Sequence, residues 1–520
     1  MSNQDQGCRA LAGLDGLDEN KLHRFVVGRD ATPTVISPDE LDDPFARLLR
    51  GDQAPPRTAD EVVTRLQSDV GANDPRARER TFLVGEGSQL PPDAIRFSLR
   101  TIRFVDALGG PEVDLILSAS HPDSTSVEVM AWDATRAGFN YYRTANSPPA
   151  WVFGGNSVDA VRPDTEGKGP FESHTSGSML MKELRFPWVH WHTLVADAPL
   201  DRAVMEGRLS GHRWLRDAGD NGGTLEGAEV LETKVVIPSI VRWTRARFDA
   251  IRSGAEPLRP RRVFEQVLAT PTINLVSSRA RGTGSADEPV DLPPQFFVDS
   301  ETLIGQLGLA APPDLVVRRE TYDAVLAELK VRLEWEEQRF TRPGDTFFAF
   351  LVPERAFEDI EVVKQATGLL LTERLAGALL MVDFSNPVFS RQREALLSTV
   401  PSEGALPASP EEFSELVAQT IRDGGPGPSR EEFLAVWDAG DAWREAANER
   451  LNGYYEALTR RLAIEEVDAF RDWYHLAESR RREASLERQL PIFEFPLLLP
   501  TSDVDDKRLV MRPDATVSEG

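Results

Sequence analysis

Cysteine is nearly absent, with Cys8 the only one in 520 residues. A lone cysteine forms no intramolecular disulfide, which excludes a disulfide-stapled scaffold, a covalent c-type haem attachment of the CxxCH kind and any multi-cysteine metal cluster. It suits a reducing compartment, so the expected localisation is cytoplasmic. Basic charge is also short: 59 Lys and Arg face 84 Asp and Glu, for a net charge of -25. That balance repels a phosphate backbone, so nucleic acid is not an expected partner.

Long apolar runs are missing too. The most hydrophobic, GLLLTERLAGALLMVDF at 368–384, is interrupted by Glu373 and Arg374 and is shorter than the roughly 20 apolar residues of a membrane span. It reads as a buried core helix, and no membrane span is expected. The first 25 residues lack the basic start and apolar stretch of a signal peptide. There is no nucleotide motif, neither GxxxxGK[ST] nor GxGxxG after a strand pattern.

What is present is the composition of an ordinary globular chain, 41% hydrophobic, 28% charged and 8% aromatic, of a length that suggests roughly two to four domains. Residues 1–80 form an N-terminal segment with at least one helix, where Thr58 caps ADEVVTRLQSDV. A β-rich domain is expected over 81–278. AIRFSLRTIRFV, VDLILSAS, SVEVMAW and FNYYRTA read as strands, and VEVMAWDATRAGFNYYR reads as a hairpin. The Gly-, Pro- and Trp-rich stretch from Pro149 to Gly227 predicts irregular structure around short strands, and a helix runs from Pro238 to Gly254.

Residues 279–294 read as a linker, and 295–500 as a mainly α-helical domain. There LVVRRETYDAVLAELKVRLEWEEQRF carries helical periodicity. Ser409 with Glu412, and Ser429 with Glu432, read as helix caps, and a long helical stretch divides near Gly453. Residues 501–520 read as a polar tail. A β-rich half before an α-rich half argues for α+β architecture over a doubly wound sheet.

Chemistry concentrates in GPFESHTSGSMLMKELRFPWVHWHT, residues 169–193, which holds His174, His190 and His192 out of seven histidines in all. Residues two apart on a strand share a face, so His190 and His192 project together. A turn at TSGS brings His174 toward them, and Glu183 supplies a carboxylate as fourth ligand or general base. Such a set suits zinc or iron, and the chemistry it implies is metal-assisted hydrolysis or oxidation. Two other readings stand beside it: a metal-free pocket lined by Tyr141, Tyr142, Trp151, Trp188, Trp191 and Trp214, and histidines that only satisfy backbone carbonyls.

Elsewhere, His121 with Asp123 and Ser124 has the residue types of a hydrolytic triad without its spacing or elbow. His212 and His475 stand alone, and either suits an axial ligand of non-covalent haem or a satisfied core position. Asp42 and Asp43 read as helix-start acids rather than a metal pair. MVDFSNPVFSRQREALL, 381–397, reads as a helix-turn-helix corner around Asp383 and Asn386. The leading expectation is a metal-dependent enzyme. The alternatives are an interaction or scaffold protein that meets a protein partner or a second copy of itself through its helical half, and a haem protein.

Overall fold

A computed structural model of the chain describes residues 14–68, 77–86, 96–107, 110–119, 123–179, 232–277, 288–335, 339–345, 349–402, 407–484, 499–505 and 507–520. The fold is α+β, with a sheet-rich N-terminal half and a mostly helical C-terminal half. Two compact units divide between Arg247 and Phe248, a point that falls inside one helix.

The first unit is built on one sheet. Its strands are β1 (Leu22–Arg24), β2 (Thr34–Ile36), β3 (Ala77–Glu86), β4 (Arg96–Ala107), β5 (Gly110–Ala119), β6 (Val127–Asp133), β7 (Gly138–Ala145) and β8 (Ala150–Asn156), in the order β2-β1-β8-β7-β6-β5-β4-β3. Neighbours from β3 to β8 pair antiparallel, and the expected hairpin is β6 with β7. β1 joins β8 in parallel. Alternation sorts the faces: Val113, Leu115, Leu117 and Ala119 of β5 are buried, while the residues between them are partly exposed. Leu115, Leu117 and Ala119 pack with Phe45 and Ala46 of α1 (Pro44–Leu48) and Val62, Val63 and Leu66 of α2 (Ala59–Ser68). Each buried Val, Leu or Phe among them contributes about 1.5–3 kcal/mol. Thr58 Oγ1 accepts from Glu61 N, the cap the sequence predicts.

After β8 comes the short α3 (Ser157–Ala160), and later α4 (Ile237–Arg252), whose end at Gly254 has φ +74°. Arg242 of α4 lies 3.9 Å over the Trp132 ring and pairs with Glu112 and Asp114, so this arginine is occupied within the fold.

The second unit holds α5 (Pro260–Leu268), α6 (Arg319–Glu328), α7 (Phe357–Ala366), α8 (Glu373–Leu380), α9 (Arg391–Ala395), α10 (Pro410–Asp423), α11 (Pro428–Trp437), α12 (Trp443–Ile464) and α13 (Glu466–Arg482). Two-stranded ladders accompany them: β9 (Ile273–Val276) with β14 (Val352–Arg355), β10 (Val290–Leu292) with β11 (Leu315–Val317), β12 (Arg332–Trp335) with β13 (Phe340–Pro343), and β15 (Leu509–Met511) with β16 (Val517–Glu519). The apolar run at 368–384 forms α8, capped by Thr372 and buried along most of its length. Ser409 caps α10 by accepting from Glu412 N. α12 and α13 pack against each other.

Three local expectations are corrected. The helix predicted through KVRLEW stops at Glu328, Lys330 takes φ +53°, and β12 follows. The residues Val331, Arg332, Leu333 and Glu334 alternate buried and exposed, a period of two inside what reads as a longer helical pattern. Ser429 is not a cap: Pro428 opens α11 with Gly427 in the capping position, because proline suits the first helical position and leaves no amide unsatisfied. Gly453 lies on an exposed face within α12, and the breaks fall instead at Gly440, at φ +60°, and at Glu465.

The corner after α8 is as expected. Asp383 adopts φ +50°, its carboxylate accepts from Asn386 Nδ2 at 2.8 Å and Ser390 Oγ at 2.6 Å, and Ser390 caps α9. The Asn386 side chain also donates to Met511 O and accepts from Met511 N, both at 2.9 Å, and so clamps β15 as a strand would. Among the described residues no helix is long and apolar enough to cross a membrane.

Candidate functional site

His174 is placed by a glycine pair. β7 and β8 match Asn140 with Asn156 and Tyr142 with Phe153, so Gly154 and Gly155 together face Tyr141. This is a β-bulge, a feature that re-aims a side chain. Gly155 has φ +113°, and a Cβ there would stand 3.0 Å from Phe171 Cζ, so only glycine lets the next loop lie on the strand. Asn156 caps α3 through Val158 N and Asp159 N, and Arg29 Nη1 meets Asp159 at 2.9 Å.

Ser157 then fastens the loop that carries the histidine. Its Oγ accepts from Phe139 N at 2.8 Å and donates to Gly177 O at 2.6 Å. Gly177 N donates to His174 O at 2.8 Å, which closes the turn expected at TSGS one residue early. Gly177 has φ +75°, and a Cβ would approach Ser157 O to 2.6 Å. Trp243 Nε1 of α4 donates to Ser176 O at 2.8 Å, and Phe171 is fully buried beneath the loop.

The imidazole at the centre of this loop has a fixed tautomer. His174 Nδ1 lies 3.0 Å from Ser178 O, and a carbonyl oxygen only accepts, so Nδ1 carries the hydrogen and Nε2 keeps its lone pair. Nε2 makes no hydrogen bond among the described residues. The ring keeps some exposure, yet the dense packing around it lowers its pKa to about 4, and the Ser178 carbonyl offsets only part of that. His174 is therefore neutral at pH 7, the form that ligates metals or accepts a proton.

A pH dependence follows from that shift. The unfolded chain takes up a proton near 6.5 and the folded ring only near 4, so stability is full above pH 6.5 and falls as pH drops through this window. In chelator-treated protein the loss is expected to be about 2–3 kcal/mol, reduced from the full shift for the ring's residual exposure. Urea unfolding at pH 7 and pH 4.5 measures it. The slope should shrink in His174→Asn, whose amide can still donate to Ser178 O; an unchanged slope would remove His174 as its source.

Glu183, His190 and His192 lie outside the described residues, as do Trp188, Trp191, Trp214, His121 and His212. Among the described residues no group of three or more His, Cys, Asp or Glu is placed to hold a metal ion. Of the expected pocket aromatics, Tyr142 and Trp151 point into the opposite core, against Phe45 at 4.8 and 4.5 Å. Among the described ones only Tyr141 meets His174, ring centroids 5.1 Å apart. Its hydroxyl is buried, with the Ser157 hydroxyl interacting with it, and the signal for it in the sequence is the Gly-Gly pair across the ladder.

Asp43 caps α1 through Phe45 N and Ala46 N, both at 2.8 Å, as its reading as a helix-start acid requires. His475 is half-buried on α13, where burial lowers its pKa and its Nε2 lacks a partner. At the second unit's corner, Asp383, Phe384, Ser385, Gln392, Glu432, Met511, Arg512 and Pro513 line a cleft of about 40 Å³. That is room for a few waters, and Asp383 and Asn386 are already spent on the corner and on β15. No family model, curated protein or solved structure matches the chain.

Proposed function

We propose that this protein binds a divalent transition metal, zinc or iron, through His174, His190 and His192, with Glu183 as fourth ligand or general base, and uses it in hydrolytic or oxidative chemistry in the cytoplasm. The observation that carries the reading is the state of His174. Metal-ligating imidazoles donate their other ring N–H to a carbonyl or carboxylate, which fixes the tautomer and aims the free lone pair. His174 has that arrangement with Ser178 O and is neutral at pH 7. Bound at the lone pair, a metal would supply activation of water, or of oxygen in the case of iron.

Elemental analysis of protein purified without chelator tests this. About one zinc or iron per chain is expected, reduced to background in a folded His190→Ala, His192→Ala double variant and in His174→Ala. Metal retained by all three proteins, or by none after supplementation, retires the site. In the second case an interaction protein becomes the leading reading. Ile464 and Val467, 74% and 42% exposed at the α12–α13 junction, are the apolar groups a protein partner or a second copy would cover. A Soret band in the absorption spectrum would instead favour haem, with His475 as candidate axial ligand.

A further inference from the structure

We propose that the hairpin of β15 and β16 is a detachable strap over a peptide-docking groove of the second unit, and that the groove's partner is an extended segment carrying an arginine and, three residues on, an apolar side chain of methionine size. This holds with or without a metal at His174. The strap is held as a bound peptide is held. Asn386 offers an amide donor to Met511 O and an amide oxygen to Met511 N, each at 2.9 Å, and Ser385 Oγ donates to the same carbonyl at 2.9 Å. Ser479 Oγ of α13 likewise donates to Lys507 O at 3.0 Å and accepts from Leu509 N at 2.9 Å. Side chains that read a backbone in this way accept many sequences in extended form, and seats for particular side chains supply the selectivity, as in strand addition. Two such seats are filled here: Arg508 donates to Glu483 at 3.0 Å and to Phe389 O at 2.6 Å, and Met511 enters the apolar core. Glu483 is 5% exposed, so a cation on the segment binds more strongly there than at the open surface.

The strap is also loosely seated. Among the described residues β15 and β16 pair only with each other, and a two-stranded hairpin is marginal by itself. Of residues 507–520 only Met511 and Ala515 are buried. A cleft of about 40 Å³ stays open along the seam, where Met511, Arg512 and Pro513 line it together with Asp383 and Gln392. Segments with so few buried apolar contacts open at a small fraction of the free energy of global unfolding. The strap's hydrogen bonds to α12 and α13 run through the side chains of Arg461, Trp473 and Ser479, so opening leaves the backbones of both helices intact.

Fluorescence anisotropy of a fluorescein-labelled peptide of residues 507–520, added to the full-length protein, tests the groove. A full-length Arg508→Glu, Met511→Asp variant has a loosened strap and an unchanged groove, and it should bind the peptide. Wild type should bind it at least about tenfold more weakly, because its own strap competes at an effective concentration in the millimolar range. A peptide carrying the same two changes should bind neither protein. Equal binding by wild type and variant, or equal binding of the two peptides, would overturn the docking groove. A wild-type dimer that the two substitutions make monomeric would put a second copy in the groove and overturn the partner assigned here. Hydrogen exchange in wild type decides the matter if the variant unfolds: amides of β15 should exchange about a hundredfold faster than those of α13. Equal rates would mean that the strap leaves only when the whole unit unfolds, which overturns the proposal.

Discussion

Replacing Asp43 with alanine is expected to destabilise the first unit by about 3–5 kcal/mol. The side chain is fully buried and its two oxygens do four jobs. One oxygen accepts from Phe45 N and Ala46 N at the start of α1; the other accepts from Asn140 Nδ2 at 2.7 Å and from the Tyr142 hydroxyl. Asn140 also reaches Asp133, which in turn accepts from Asp42 N, Thr135 N and Arg136 N. Alanine uncaps the helix and strands two donors in the core. Urea unfolding followed by tryptophan fluorescence measures the loss, and less than about 1 kcal/mol would mean that the network carries little.

The same residue has a pH signature. Burial raises the Asp43 pKa above its usual 3.8, with its hydrogen bonds acting in the opposite direction. The folded state therefore takes up its proton at higher pH than the unfolded chain. Between the folded value and 3.8 this group adds stability as pH falls, the reverse of an ordinary salt-bridged aspartate.

Arg393→Met should cost the second unit about 3–5 kcal/mol. The guanidinium is 1% exposed and donates to the carbonyls of Val382, Asn386 and Pro387 at 3.2, 3.0 and 2.9 Å, which together hold the corner between α8 and α9. Burial lowers its pKa to about 10, and the nearby Arg355 charge adds to that, so it remains a cation at pH 7. Methionine fills much of the volume and leaves three carbonyls without a donor. Arg393→Lys should fail to restore stability, because one ammonium cannot span three acceptors that a planar fork reaches. A lysine variant as stable as wild type in guanidinium unfolding would sink this account.

The sequence made the fold legible where local chemistry and global packing agree. β5 shows alternation, β6 and β7 are β-prone runs that meet at a short loop, and Ser409 and Thr58 sit where their hydroxyls accept a first-turn amide. It misled where two periods overlap, as in AELKVRLEW, and where a proline one residue before a serine takes over the helix start. Asp43 was readable as a cap, but the depth of its network was not. Asn140 and Tyr142 are nearly a hundred positions away, and nothing local announces that pairing.

At the candidate site a turn does form beside His174, closed by Gly177 N to His174 O one residue ahead of TSGS. The tautomer was not visible in advance, because it depends on Ser178 O swinging back to Nδ1. Nor was the separation of Tyr141 from its neighbours Tyr142 and Trp151, which strand alternation and the Gly-Gly bulge send to opposite faces.

The parallel pairing of β1 with β8 has a kinetic consequence. Leu22 meets Trp151 and Arg24 meets Phe153, partners more than a hundred residues apart, whereas every other contact along β3 to β8 joins consecutive strands. Closing so large a loop carries an entropic penalty that only a preformed β8 edge can offset. During synthesis β1 therefore emerges well before its partner and can pair with it only once β8 has been made.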